Sequence, residues 1–145
     1  MLLRMVPLAF MLFICGAQAL DSAQVMDAMS WEKRVLVIFA PDVDNRELRL
    51  QNAVLAAEQD GLAERHMAVI RVLANKRVSI DGKSEADNFS NFHEYFNARP
   101  DRFRVLLVGK DGGVKLDREV PVSTGELFSL IDSMPMRRQE MLQDG

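Results

Sequence analysis

Six consecutive residues, Val35-Leu36-Val37-Ile38-Phe39-Ala40, are apolar and mostly β-branched or aromatic, and Pro41 closes the run. A strand with one wet face would alternate with polar residues. This run does not, so it predicts a strand buried on both faces of a sheet. That requirement sets the frame for reading the rest of the chain.

A polar amphipathic stretch, residues 21–33, precedes the strand. After it, Asp44 and Glu47 stand at capping-box spacing and predict a helix to about residue 60. Leu50, Val54 and Ala57 fall on one face of that helix, and Gly61 supplies its stop. Residues 67–73 read as a second strand, and the polar segment 74–83 holds an Asp81-Gly82 turn. Phe89, Phe92 and Phe96 recur at helical spacing with Tyr95 beside them, in a helix that ends before Pro100. That stripe reads as core, with a partner-binding groove as the alternative. Residues 103–108 form another buried strand, Gly109-Lys110-Asp111-Gly112-Gly113 a hairpin turn, and residues 114–117 the returning strand. Ser123 and Glu126 make a second capping box for a helix whose apolar side is Leu127, Phe128, Ile131 and Met134. Pro135 interrupts it, and residues 136–142 are a charged amphipathic tail. The order β-α-β-α-β-β-α predicts parallel pairing first and an antiparallel hairpin last, the thioredoxin arrangement.

The N-terminus carries a different signal. Arg4 is followed by an apolar run of about eleven residues and then by Ala17-Gln18-Ala19. That is the layout of a secretory signal cleaved after residue 19, too short to span a ~30 Å hydrocarbon core comfortably as a helix. Ile14 stands where lipid attachment to Cys15 would need a small residue. Cleavage leaves residues 20–145 as a single domain without a stable membrane span, periplasmic or secreted. It also removes Cys15, the chain's one cysteine. The formal net charge of −3 argues against a nucleic-acid role.

Three segments together carry a family resemblance: Trp31 to Pro41, Val108 to Leu116, and Ile131 to Met141. They resemble the bacterial branch of a domain of unknown function shared with animal sushi-repeat-containing proteins and a coiled-coil-domain-containing extracellular matrix protein linked to adhesion. The resemblance implies a thioredoxin-like, peroxiredoxin-related α/β fold, a mixed sheet with flanking helices, in an exported protein. It implies no established activity.

In such a fold the reactive thiol sits just after the first core strand, where a helix N-terminus lowers its pKa. The corresponding stretch here is Pro41-Asp42-Val43-Asp44, which has no cysteine. Asp44 reads as a helix cap, with a binding role for Asp42 and Asp44 as the alternative. Arg104 reads as a strand-end arginine, or as one aimed at the vacated site. His66 and His93 lack metal-ligand spacing. The glycine-rich turn lacks phosphate-loop spacing. No metal, cofactor or catalytic residue is therefore expected. Met134, Met136 and Met141 with Arg137, Arg138 and Glu140 suit an adaptable contact surface. The leading expectation is a non-catalytic module without thiol redox activity that binds a protein or envelope component. The alternative is an enzyme reusing the former redox edge with Asp42, Asp44, Arg46 and Arg104. The processing is directly checkable: the intact mass of the exported protein should correspond to a chain beginning at Leu20, and retention of residues 1–19 would contradict the cleavage.

Overall fold

The computed structural model describes residues 21–84 and 91–145. The expected signal at residues 1–19, and Phe89 of the aromatic stripe, lie outside the described residues. Six strands form one sheet: β1 (Arg34–Ala40), β2 (Met67–Leu73), β3 (Val78–Ile80), β4 (Lys83–Ser84), β5 (Arg104–Val108) and β6 (Val114–Arg118). Their order is β4-β3-β2-β1-β5-β6. β1 runs parallel to β2 and antiparallel to β5, and the remaining pairs are antiparallel. The helices are α1 (Ser22–Met29), α2 (Arg46–Ala56), α3 (Gln59–Glu64), α4 (Phe92–Tyr95), α5 (Thr124–Asp132) and α6 (Pro135–Gln143). Among the described residues no helix is long and apolar enough to cross a membrane.

Every residue of β1 is buried, because alternate side chains serve two separate cores. Leu36, Ile38 and Ala40 pack with Leu48 and Leu55 of α2, Leu62 of α3, and Leu127 and Ile131 of α5. Val35, Val37 and Phe39 pack on the other face with Val25 and Met26 of α1 and Phe92 of α4. The mixed α/β sheet with flanking helices expected from the apolar run is therefore the architecture observed.

The structure corrects several local expectations. Asn45, not Asp44, caps α2, its side chain accepting from the Leu48 NH at 3.0 Å. The Asp42 carboxylate accepts from the Asp44 NH at 2.9 Å, and this tight turn leaves the next residue to cap. The helix does not run to residue 60 but ends at Ala56, where the Gln59 side chain donates to the Leu55 carbonyl at 3.1 Å. Its inward face is Leu48, Gln51 and Leu55, whereas Leu50 is exposed. A glutamine can point inward because Gln51 donates to the Val122 carbonyl at 3.0 Å and accepts from the Val122 NH at 2.8 Å. The polar segment after β2 contains two short strands, β3 and β4, around the expected turn, with Asp81 and Gly82 both at positive φ.

Gly61 is not a helix stop but an interior residue of α3, required there for a different reason. A Cβ at this position would lie 2.7 Å from Phe128 Cε2. The Phe128 ring is in turn covered by the Arg65 guanidinium, 3.9 Å above its centroid. Helix propensity alone would make Gly61→Ala stabilising by about 0.5–1 kcal/mol. The contact predicts the reverse, a loss of about 1–2 kcal/mol from overpacking, readable as a lowered urea midpoint.

Candidate functional site

The C-terminal end of β1 is where the sequence places the former redox edge. Asp42, Asp44 and Arg46 are exposed there. Arg104 does not join them. Its Nε and Nη2 donate to Asp117 of β6 at 2.9 and 2.8 Å, and its Nη1 donates to the Phe96 and Asn97 carbonyls. The Asp117 hydrogen bonds hold Arg104 above its ordinary pKa and outweigh its partial burial. The same contacts pull the Asp117 carboxyl down. The four candidates thus do not converge, and Arg104 is committed to pinning the β5–β6 hairpin.

Beside that edge lies a groove of about 460 Å³ between α2 and the β2–β3 end of the sheet. Val43, Leu48, Leu73 and Val78 form its apolar lining, and Asn52, Arg71, Arg77, Ser79 and Ser84 its polar lining. The exposed Val43 is thus shared between the groove and the Asp42–Asp44 turn. Arg71 Nε donates to Asn52 Oδ1 at 2.7 Å. Burial lowers the Arg71 pKa, partly offset by the charge of Asp81. His93 is elsewhere, its ring 5.3 Å from Phe39 and its Nε2 buried without a partner among the described residues. Burial, and then the charge of Lys76, lower its pKa. Among the described residues no group of three or more His, Cys, Asp or Glu could hold a metal ion.

The opposite end of β1 holds an ion network that sequence reasoning missed. Arg34, the first residue of β1, is 1% exposed and grips Glu140 of α6 through two nitrogens at 3.1 Å each. Lys110, buried in the hairpin turn, donates to Glu140 at 2.5 Å and to His66 Nδ1 at 2.8 Å. Arg137 is also 1% exposed and contacts Glu64, Asp132 and Glu140. Asp132 receives a two-pronged bond from Arg65 at 3.0 and 2.9 Å. Arg137, expected on a contact surface, is therefore an internal cation, while its neighbour Arg138 is exposed on α6. The signal was present but not decoded: Arg34, Lys110 and Glu140 each lie in one of the three segments that carried the family resemblance.

Residues 25–140 match the family described as Domain of unknown function (DUF4174). Coiled-coil domain-containing protein 80 of Danio rerio is 31% identical over 128 residues, covering 77% of this chain and 15% of that protein. Sushi repeat-containing protein SRPX2 of Bos taurus is 26% identical over 130 residues, covering 85% of this chain and 27% of that protein. Sushi repeat-containing protein SRPX of Rattus norvegicus is 28% identical over 126 residues, covering 83% and 27%. The chain therefore spans less than a third of the length of the curated relatives it matches.

The network has a definite pH signature. Burial would raise the Glu140 pKa, but the hydrogen bonds from Arg34 and Lys110 prevail and hold it at about 2 against an ordinary 4.5. The folded carboxyl is thus the weaker proton binder. Its stabilisation is present above the unfolded value and is lost as pH falls from about 4.5 through about 2. The linked energy is on the order of 3 kcal/mol. Near neutral pH, Glu140→Gln should cost about 3–5 kcal/mol in urea unfolding, because it strands buried cations. The gap between variant and wild type should narrow steadily as the measurement is repeated toward pH 2.

Proposed function

We propose, for a chain that belongs to the family described as Domain of unknown function (DUF4174), that it is an exported, non-catalytic thioredoxin-like module that binds a protein or envelope component. The strand order β2-β1-β5-β6, with β1 parallel to β2 and antiparallel to β5, supports the thioredoxin-like, peroxiredoxin-related reading. The N-terminal segment supports export to a bacterial periplasm or beyond the cell.

The observation that carries the proposal is the chemistry of the edge after β1. Where a thiol enzyme keeps its nucleophile, this chain has Pro41-Asp42-Val43-Asp44, and residues 21–145 contain no cysteine. Disulfide exchange needs a thiolate and a resolving partner, and peroxide reduction by the usual cysteine ladder needs the first of these. What the edge retains is shape: an accessible groove with an apolar lining and two arginines. A concave groove with an apolar lining and a few placed polar groups suits recognition of a ligand. Such a fold frame serves many purposes, and it is these residues rather than the frame that favour binding.

Two measurements test the reading together. The processed protein should neither accelerate reduction of insulin disulfides nor consume hydrogen peroxide beyond buffer controls. Crosslinking in the envelope fraction of its host should recover a reproducible partner that excess unlabelled protein displaces. Turnover in either assay, or absence of any displaceable partner, would overturn it.

A further inference from the structure

Among the described residues five arginines are buried or half-buried: Arg34, Arg65, Arg71, Arg104 and Arg137. Four of them grip a carboxylate. Arg71 does not. Its one side-chain hydrogen bond among the described residues goes to the neutral Asn52. The nearest influence of opposite sign, Asp81, acts through space, and its Oδ1 accepts from the Val69 NH at 2.8 Å. A half-buried guanidinium with no carboxylate among its described neighbours is placed to take one from a ligand.

The surroundings specify what that ligand would be. Arg71, Ser79 and Ser84 lie opposite one another on β2, β3 and β4, so one guanidinium and two hydroxyls share a single cross-strand line. Neighbouring strands are about 4.8 Å apart, a spacing at which an arginine fork and a hydroxyl can share the two oxygens of a carboxylate. Leu73 lies two residues beyond Arg71 on the same face, roughly 6.6 Å along the strand, and Leu48 and Val43 continue the apolar lining. Among the described residues none lining the groove is acidic, although the chain as a whole is net negative. Another arginine-rich depression, at Arg99, Arg102 and Arg104, is neutralised by Asp101, Glu119 and Asp117. Among the described residues the groove at Arg71 has no such carboxylate.

We infer that this groove takes the C-terminal carboxylate of a peptide whose last residue is apolar, with Arg71 holding the carboxylate, Ser79 and Ser84 donating beside it, and Leu73 and Leu48 receiving the side chain. A chain terminus carries both groups on one Cα, which matches the single two-residue step between guanidinium and apolar lining. Capture of a terminal carboxylate is an established mode of peptide recognition. The inference rests on the reading of the chain as a binding module and gives that module its ligand chemistry.

The test uses the isotope-labelled protein and an N-acetylated hexapeptide Gly-Ser-Gly-Ser-Val-Leu, as free acid and as C-terminal amide. The acid should shift the Arg71, Leu73, Ser79 and Ser84 resonances saturably, with a Kd tighter than about 1 mM, and the amide should bind at least about tenfold more weakly. Arg71→Gln should abolish the difference between the two peptides, and Ser79→Ala should reduce it while leaving the fold intact by circular dichroism. The acid–amide comparison on the unaltered protein decides the matter even if Arg71→Gln misfolds. Equal binding of acid and amide, no saturable shift, or full displacement of the peptide by equimolar sodium acetate would each overturn the assignment. A displaceable partner that persists in crosslinking after such a failure would leave the binding-module reading standing and remove only this ligand.

Discussion

Glu140 is the anion on which this structure converges. Arg34 reaches it from the start of the central strand, Lys110 from the turn of the hairpin, and Arg137 from one turn earlier on the same helix. Each cation is almost fully withdrawn from water, so each would be a liability if left unmatched. Together with the Arg65–Asp132 and Arg137–Glu64 bonds, the network fastens α6, a helix whose buried residue is Arg137 rather than an apolar one, to the base of the sheet. The hydrophobic cores explain why the sheet forms. The charges explain why the last helix stays on it.

This arrangement divides β1 into two ends with different duties. The seven-residue parallel register from Arg34–Met67 to Ala40–Leu73 separates them by roughly 20 Å. One end is closed by ion pairs, and the other opens onto the groove beside α2. A packed base and an accessible rim would suit the recognition role proposed above, because loops and edges carry binding when a stiff frame holds them. The Asp42–Asp44 turn shapes the entry to α2 and sets Val43 at the lip of the groove.

Much of the fold was legible in the sequence. The run at residues 35–40, the hairpin glycines and the Ser123 cap each express a local rule strong enough to survive tertiary context, and Ser123 does accept from the Glu126 NH. What escaped notice depends on pairing across long stretches of chain. Nothing near Gln51 announces that Val122 will satisfy both ends of its amide, seventy-one positions away. Nothing near Glu140 announces Arg34, one hundred and six positions away. Asn45 displaced Asp44 as cap because two equally good capping residues stood side by side and a turn decided between them. At the site, the acidic pair was visible as a pattern, whereas Arg71 and Ser79 became neighbours only when the polar segment after β2 paired back as β3.

Glu140 also bears on the order in which the chain can complete itself. A polypeptide emerging from a ribosome or threading a translocon presents residue 34 long before residue 140. Until α6 arrives, Arg34 and Lys110 lack the carboxylate of Glu140, so the base of the sheet is completed only when that helix docks. Glu140 on α6 thus acts as the latch for β1, fastened more than one hundred positions after it.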